Sequence, residues 1–227
     1  MVYKLVSTLT KDATNHSRMT FNRDSKTAGI AKVNLTPDTW DPDYKGTNVT
    51  LSNGDLTMDI TSGSWQSALS INTNSTGKFY FELDCIDIMN FTMVGVIKDG
   101  VDVRNTYLGV NIDGHAYYAL DGNAYNNNSG ASWGNTYTDA DVIGVAVDFD
   151  NQAVYFAKNN VFQNSSDPTS GSSRTGVHTK HYLTASTEYK IVASSLSSLN
   201  DLTANFGASS FNYTPPDGYT SGWGVLS

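Results

Sequence analysis

Apolar and polar positions alternate in short runs along most of the chain. Between residues 79 and 85, Phe79, Phe81, Leu83 and Cys85 face one way and Tyr80, Glu82 and Asp84 the other. A period of two marks a half-buried strand. Residues 91–97 and 142–149 are near-continuous apolar runs, interrupted by Gly95 and Gly144, as strands deep in a sandwich would be. Residues 48–52 end at Asn53-Gly54 and residues 55–60 return, a hairpin with the residues a type I′ turn demands. Residues 154–158 and Val161-Phe162 flank Asn159-Asn160 and predict a second hairpin, because asparagine tolerates positive φ. Residues 189–193 and 202–206 supply two more strands. No segment sustains a 3.6-residue apolar pattern, so the sequence predicts an all-β protein, an antiparallel sandwich from Trp40 onward.

Composition agrees. Nearly all of the acidity is aspartate, Glu82 and Glu188 being the only glutamates. Asp, Asn, Gly and Ser favour turns where Glu favours helix. At 227 residues the chain allows one large domain or a domain with an appendage, and a body of that size buries roughly 70% of its unfolded surface without staples. A formal net charge of −8 with scattered Lys and Arg argues against binding to a phosphate backbone. Cys85 is the only cysteine, which excludes an intramolecular disulfide and a cysteine-rich zinc site; its place in a strand pattern suits a small core side chain. The N-terminus lacks the apolar run of a signal peptide and no stretch reaches membrane-spanning length, so a soluble protein is expected.

The first 36 residues differ in texture. Residues 11–26 are polar with few apolar anchors, and five Lys/Arg before Ala28 make the leader basic ahead of an acidic body. Such a segment buries too little surface to offset its ordering entropy alone, so it is expected to be an extended arm held by a partner. Tyr3, Leu5, Arg18, Phe21 and Arg23 are its candidate docking residues.

Several blocks, in order, resemble a known family. They are Trp40-Asp41-Pro42-Asp43, Thr50-Leu51-Ser52-Asn53-Gly54-Asp55-Leu56, Gly77-Lys78-Phe79-Tyr80-Phe81-Glu82, Tyr107-Leu108-Gly109-Val110, residues 139–148, residues 154–160, Thr203-Ala204-Asn205-Phe206-Gly207 and Pro215-Pro216-Asp217-Gly218-Tyr219. Together they resemble a SPRY domain of the bacteriophage type over about residues 37–220, with a short tail at 221–227. Asn160 stands where that family usually has glycine, and Asp139-Ala140-Asp141 replaces the usual Gly-Asp entry to its strand. The resemblance implies a bent sandwich of two antiparallel sheets, similar to concanavalin A and other lectins, that binds peptides, proteins or sugars through loops and is not an enzyme. The leader has no counterpart in it.

The richest constellation lies between residues 111 and 137. Its candidate ligand-binding residues are Asp113, His115, Tyr117, Tyr118, Tyr125, Asn126, Asn127, Trp133 and Tyr137. Tyr, Asn, Gly and Ser give wide contact area and adaptable hydrogen bonds, and the same palette suits sugar rings. Tyr117, Tyr118 and Trp133 read equally as framework aromatics. Trp65 is expected in the core. His178 and His181 are expected as solvated loop residues, without the acidic partners of a metal site, and residues 148–151 as a strand-ending turn rather than a calcium loop. No catalytic residues, metal or cofactor are assigned.

The function expected from these features is that of a non-enzymatic structural protein of a phage. The sandwich would be displayed on the virion surface as a capsid decoration or attachment protein, singly or as a homo-oligomer, anchored to a capsid or tail protein by residues 1–36 and contacting host-surface glycan or protein, without nucleic acid or membrane insertion. The alternatives are a tail-fibre adhesin, a free cellular peptide-binding module, and a glycan hydrolase using Asp113 or Asp121.

Overall fold

A computed structural model describes residues 7–11, 17–21, 30–33, 35–88, 90–196 and 200–226. The chain divides into two compact units, residues 1–36 with 225–227, and residues 37–224. In the first, β1 (Ser7–Lys11), β2 (Ser17–Phe21) and β3 (Ile30–Val33) form an antiparallel sheet in the order β1-β2-β3. An extended arm held by a partner was expected there. Adjacent antiparallel segments instead satisfy one another's backbone N–H and C=O groups, a gain that needs little apolar area. Arg18 sits on β2 opposite Thr10 and Lys32, and Phe21 opposite Ser7; Tyr3, Leu5 and Arg23 lie outside the described residues. β4 (Leu35–Pro37) pairs with the last strand of the chain, Gly224–Leu226.

The second unit holds β5 (Val49–Ser52), β6 (Thr57–Ile60), β7 (Gln66–Leu69), β8 (Lys78–Ile88), β9 (Thr92–Lys98), β10 (Gly114–Tyr118), β11 (Ala124–Asn126) and β12 (Ser129–Ala131). After these come β13 (Val142–Asp148), β14 (Ala153–Lys158), β15 (Val161–Phe162), β16 (Tyr189–Ser195), β17 (Asn200–Asn205) and β18 (Thr220–Ser221). One sheet runs β12-β11-β10-β9-β16-β7. The other runs β15-β14-β13-β8-β17-β6-β5, with β18 parallel to β8 beside it. Three 3₁₀ turns are the only helical elements among the described residues. The expected all-β sandwich of antiparallel sheets is what the chain forms.

The alternating positions of the central strands fill the space between the sheets. Phe79, Phe81, Leu83 and Cys85 meet Val94, Val96, Tyr117 and Ile191 in one buried cluster. Aromatic rings thread it edge to face: Trp40 on Phe206 at 5.1 Å, Phe206 on Phe81 at 5.8 Å, Phe81 on Trp223 at 6.0 Å. Such pairs prefer tilted and edge-on geometry because ring edges are positive and faces negative. Trp223 is fully buried, so the body runs past residue 220, where a tail was expected to begin.

Two local expectations change. Ser52 pairs with Thr57, so four residues connect β5 and β6 in place of a two-residue turn. Asn53, Gly54 and Asp55 all take left-handed φ values of 53°, 66° and 64°. By contrast, Lys158 pairs with Val161 across Asn159 and Asn160 at φ 47° and 67°, the left-handed pair a type I′ turn requires. On β8 the alternation does not separate buried from exposed, because Tyr80 and Glu82 are buried as well. The C-terminal run covers them: Phe211 stacks edge-on against Tyr80 at 5.3 Å. The Glu82 carboxylate accepts hydrogen bonds from Asn212 N at 2.7 Å, Tyr213 N at 2.9 Å and the Tyr80 hydroxyl at 3.0 Å.

Candidate functional site

The two sheets treat their outer faces differently. Over the eight-stranded sheet, Tyr80, Ala146, Ala153, Tyr155 and Tyr219 form a second buried cluster closed by Phe162, Val177 and Phe211. Over the six-stranded sheet, register places Tyr118 beside Met93, and Tyr125, Ala116, Gly95, Val192 and Leu69 in one cross-strand row. The connection from β9 to β10 crosses this face, seating Leu108 and Val103 on it. Gly95 permits that close approach: a Cβ there would lie 2.0 Å from the His115 carbonyl and 3.2 Å from Leu108.

On one side of the crossing connection four aromatic rings close a circuit. Trp65 lies 5.2 Å from Tyr107 and 6.2 Å from Tyr118, while Tyr125 lies 6.3 Å from Tyr107 and 5.9 Å from Tyr118. Trp65, Tyr107 and Tyr125 are half-buried and Tyr118, 8% exposed, is the buried member of the circuit, so three of the four rings keep part of their surface open to solvent. Gly130, opposite Tyr125 on β12, leaves room for its ring, since a Cβ there would lie 2.7 Å from Cε2.

An amide rim borders the rings. Asn126 pairs with Ser129 across Asn127 and Asn128, both left-handed at φ 54° and 53°. The Tyr107 hydroxyl donates to Asn128 Oδ1. Backbone bonds from Asn127 N to Asn111 O at 2.9 Å and from Asn128 N to Gly109 O at 2.8 Å pin this hairpin to the crossing connection. Nearby, Arg104 lies 4.3 Å over the Tyr44 ring and donates two bonds to Asp102 at 3.0 and 2.8 Å. Those bonds hold the Asp102 carboxyl down at about 2. Burial, then the Asp121 charge, pushes the Tyr118 phenol up to about 12, so it stays a neutral hydroxyl at physiological pH. The arrangement offers flat apolar surface, neutral hydroxyls and amides, which suits recognition.

Of the residues singled out from sequence, Tyr118, Tyr125, Asn126 and Asn127 reach this site. Asn126 spends its amide on Ile112 O and Gly114 O; Asn127 is exposed. Asp113 is half-exposed, 3.9 Å from Lys98. Asp121, exposed, accepts from Asn123 N and Nδ2. Four others are corrected, because they are buried away from this circuit with their polar atoms bonded inside the body. Tyr117 is fully buried and donates to Asn135 O. Tyr137 is 1% exposed and its hydroxyl is shared between Thr92 O and Tyr117 O. Trp133 donates Nε1–H to Gly176 O at 3.0 Å. His115 is 5% exposed, its Nδ1–H donating to Lys180 O at 2.7 Å.

His181 is a further correction: it is fully buried between Trp133 and Phe156, while His178 remains half-buried and caps its 3₁₀ turn. Asp148 does end its strand in a turn, accepting from Asn151 N and pairing with Lys78 at 2.9 Å. Among the described residues no three His, Cys, Asp or Glu side chains converge as metal ligands. Trp65, Tyr107, Tyr44 and Arg104 were missed. They come from connections far apart in sequence, and only sheet register brings them together.

Comparison with known proteins matches residues 78–166 to the SPRY domain family model. The match identifies a SPRY domain within residues 78–166. A Drosophila melanogaster protein described as a Ran-binding proteins 9/10 homolog is 29% identical over 134 residues, 55% of this chain and 14% of that protein. The chain thus spans about one-seventh of that relative's length. The crystal structure of the SPRY domain of human HERC1 superposes with a TM-score of 0.57 at 20% identity, over 73% of this chain and 96% of that one. That likeness is one of fold. The phage-type assignment within the family finds no counterpart in these relatives, which are cellular proteins.

Proposed function

We propose that this SPRY domain is a protein-interaction module that holds a segment of a protein partner on the outer face of its six-stranded sheet. The observation that carries this reading is the half-open circuit of Trp65, Tyr107, Tyr118 and Tyr125. Three of these rings, Trp65, Tyr107 and Tyr125, are half-buried next to one another and are bordered by amides. Packed but partly open aromatics supply large contact area with little entropy to lose, the property of binding hot spots.

The test is selection of a yeast-displayed random peptide library on the purified full chain, with a glycan array in parallel. Trp65→Ala and Tyr107→Ala should each weaken the selected peptides at least tenfold while costing under about 1 kcal/mol of stability. Binding of glycans alone, or peptides indifferent to both substitutions, would overturn the reading.

As a second, finer reading, residues 1–36 tether the sandwich to a particle, as a capsid decoration or tail adhesin. What favours it is that this basic leader, with residues 225–227, falls in a separate compact unit and carries a three-stranded sheet. Deleting residues 2–36 should then release the protein from particles and leave the body folded; full retention on particles would refute it.

A further inference from the structure

At the start of the connection between β9 and β10, the outer face of the six-stranded sheet holds a cavity of about 310 Å³. Leu69 and Ile97 from β7 and β9 line it, with Tyr44 and Val101 from connecting segments. Lys98 and Lys190 complete it, and the Lys190 ammonium is drawn aside to donate to Ser70 O at 2.9 Å and Ile71 O at 2.7 Å. Its stem therefore faces the cavity as hydrocarbon. Gly100 turns the chain at the rim in a left-handed conformation (φ 80°), with no atom within 4 Å of where a Cβ would stand.

We infer that this cavity is an anchoring subsite for one large aliphatic or aromatic side chain of the same protein segment that lies on the aromatic circuit. The inference rests on the binding reading above. Three features identify the occupant. The lining is mostly apolar, so a polar group entering it would lose hydration without recovering hydrogen bonds. The rim carries both signs, Lys98 beside Asp99, which disfavours an ion of either charge. Its volume sits at the bottom of the range for small-molecule sites, ample for one side chain and small for a cofactor. Leu69 and Ile97 also belong to the same packed cluster as Trp65, Tyr107 and Tyr125, so one extended segment crossing the face would meet both features.

Peptides selected on the full chain provide the probe. They should share a Leu, Ile, Met, Phe or Trp at one fixed position, and replacing it by Ala should weaken binding ten- to hundredfold, the range that burying one such side chain supplies. Val101→Trp, which fills the cavity, should weaken the parent peptide similarly, and the Ala peptide should bind wild type and Val101→Trp alike. Val101→Phe provides a smaller filling side chain should the Trp variant unfold. Unchanged affinity for both Val101 variants, with binding still lost in Trp65→Ala, would overturn the subsite and leave the binding reading standing. Peptides indifferent to Trp65 and Val101 alike would remove both.

Discussion

Lowering the pH from 7 to 5 should cost the sandwich about 2 kcal/mol through His181 alone. The imidazole is fully buried, 4.7 Å from Trp133 and 4.8 Å from Phe156. Its Nε2 faces the Ala116 carbonyl at 2.9 Å; a carbonyl only accepts, so Nε2 carries the hydrogen and Nδ1 the lone pair. Nδ1 is buried without a partner, and a proton placed there would meet no acceptor. Burial therefore drives the imidazole down to about 3. In the unfolded chain it titrates near 6.5. As the pH falls below that value, the unfolded state takes up a proton that the folded state refuses until about 3. The stabilisation is complete above about pH 6.5 and is lost progressively below it, at about 1.36 kcal/mol per unit. The 2 kcal/mol holds for any folded value below about 4, since only the unfolded value then enters.

His115 is shifted the same way by burial and adds to the loss in the wild type. His181→Gln isolates the effect, because an amide can donate to Ala116 O without titrating. Urea unfolding followed by tryptophan fluorescence at pH 7, 6 and 5 gives the wild-type minus variant difference, from which every other group cancels. That difference should fall by about 2 kcal/mol between pH 7 and 5. A constant difference would refute the buried neutral imidazole.

Three further outcomes follow from packing and hydrogen bonding. Trp223→Ala removes a fully buried ring and should cost about 3–5 kcal/mol in urea unfolding, whereas Trp65→Ala at the half-open circuit should cost under about 1 kcal/mol. In the β14–β15 turn, Asn159 accepts from Val142 N and donates to Asp141. Asn159→Gly should therefore lose about 1–2 kcal/mol, while Asn160→Gly, at φ 67°, should hold or gain a few tenths; thermal unfolding of the pair checks this. Glu82→Ala orphans two backbone N–H groups and the Tyr80 hydroxyl. It should cost roughly 3 kcal/mol, with faster amide exchange at Asn212 and Tyr213.

What the sequence makes legible is local. The Asn159-Asn160 turn, the apolar runs of β9 and β13, and the burial of Cys85 follow from residue type over a few positions, and each is found where expected. What it hides is coverage of the outer faces. Alternation on β8 reports two sides to a strand; it cannot report that residues 211–213, some 130 positions on, seal the second side over Tyr80 and Glu82. The same blindness put Trp65 in the core and His181 in solvent. Trp65 packs against the distant Tyr107 and Tyr118 yet stays half-buried, and His181 is buried because a 3₁₀ turn tucks it against β10 and β14.

Both outer faces begin with the same supply of aromatics, yet only one is finished by the chain itself. A polypeptide that seals Tyr80, Tyr155 and Tyr219 but leaves Trp65, Tyr107 and Tyr125 half-exposed beside an apolar cavity presents on that second surface what the proposed binding reading requires. Substitutions on the sealed face should therefore register in unfolding, and those on the open face in binding.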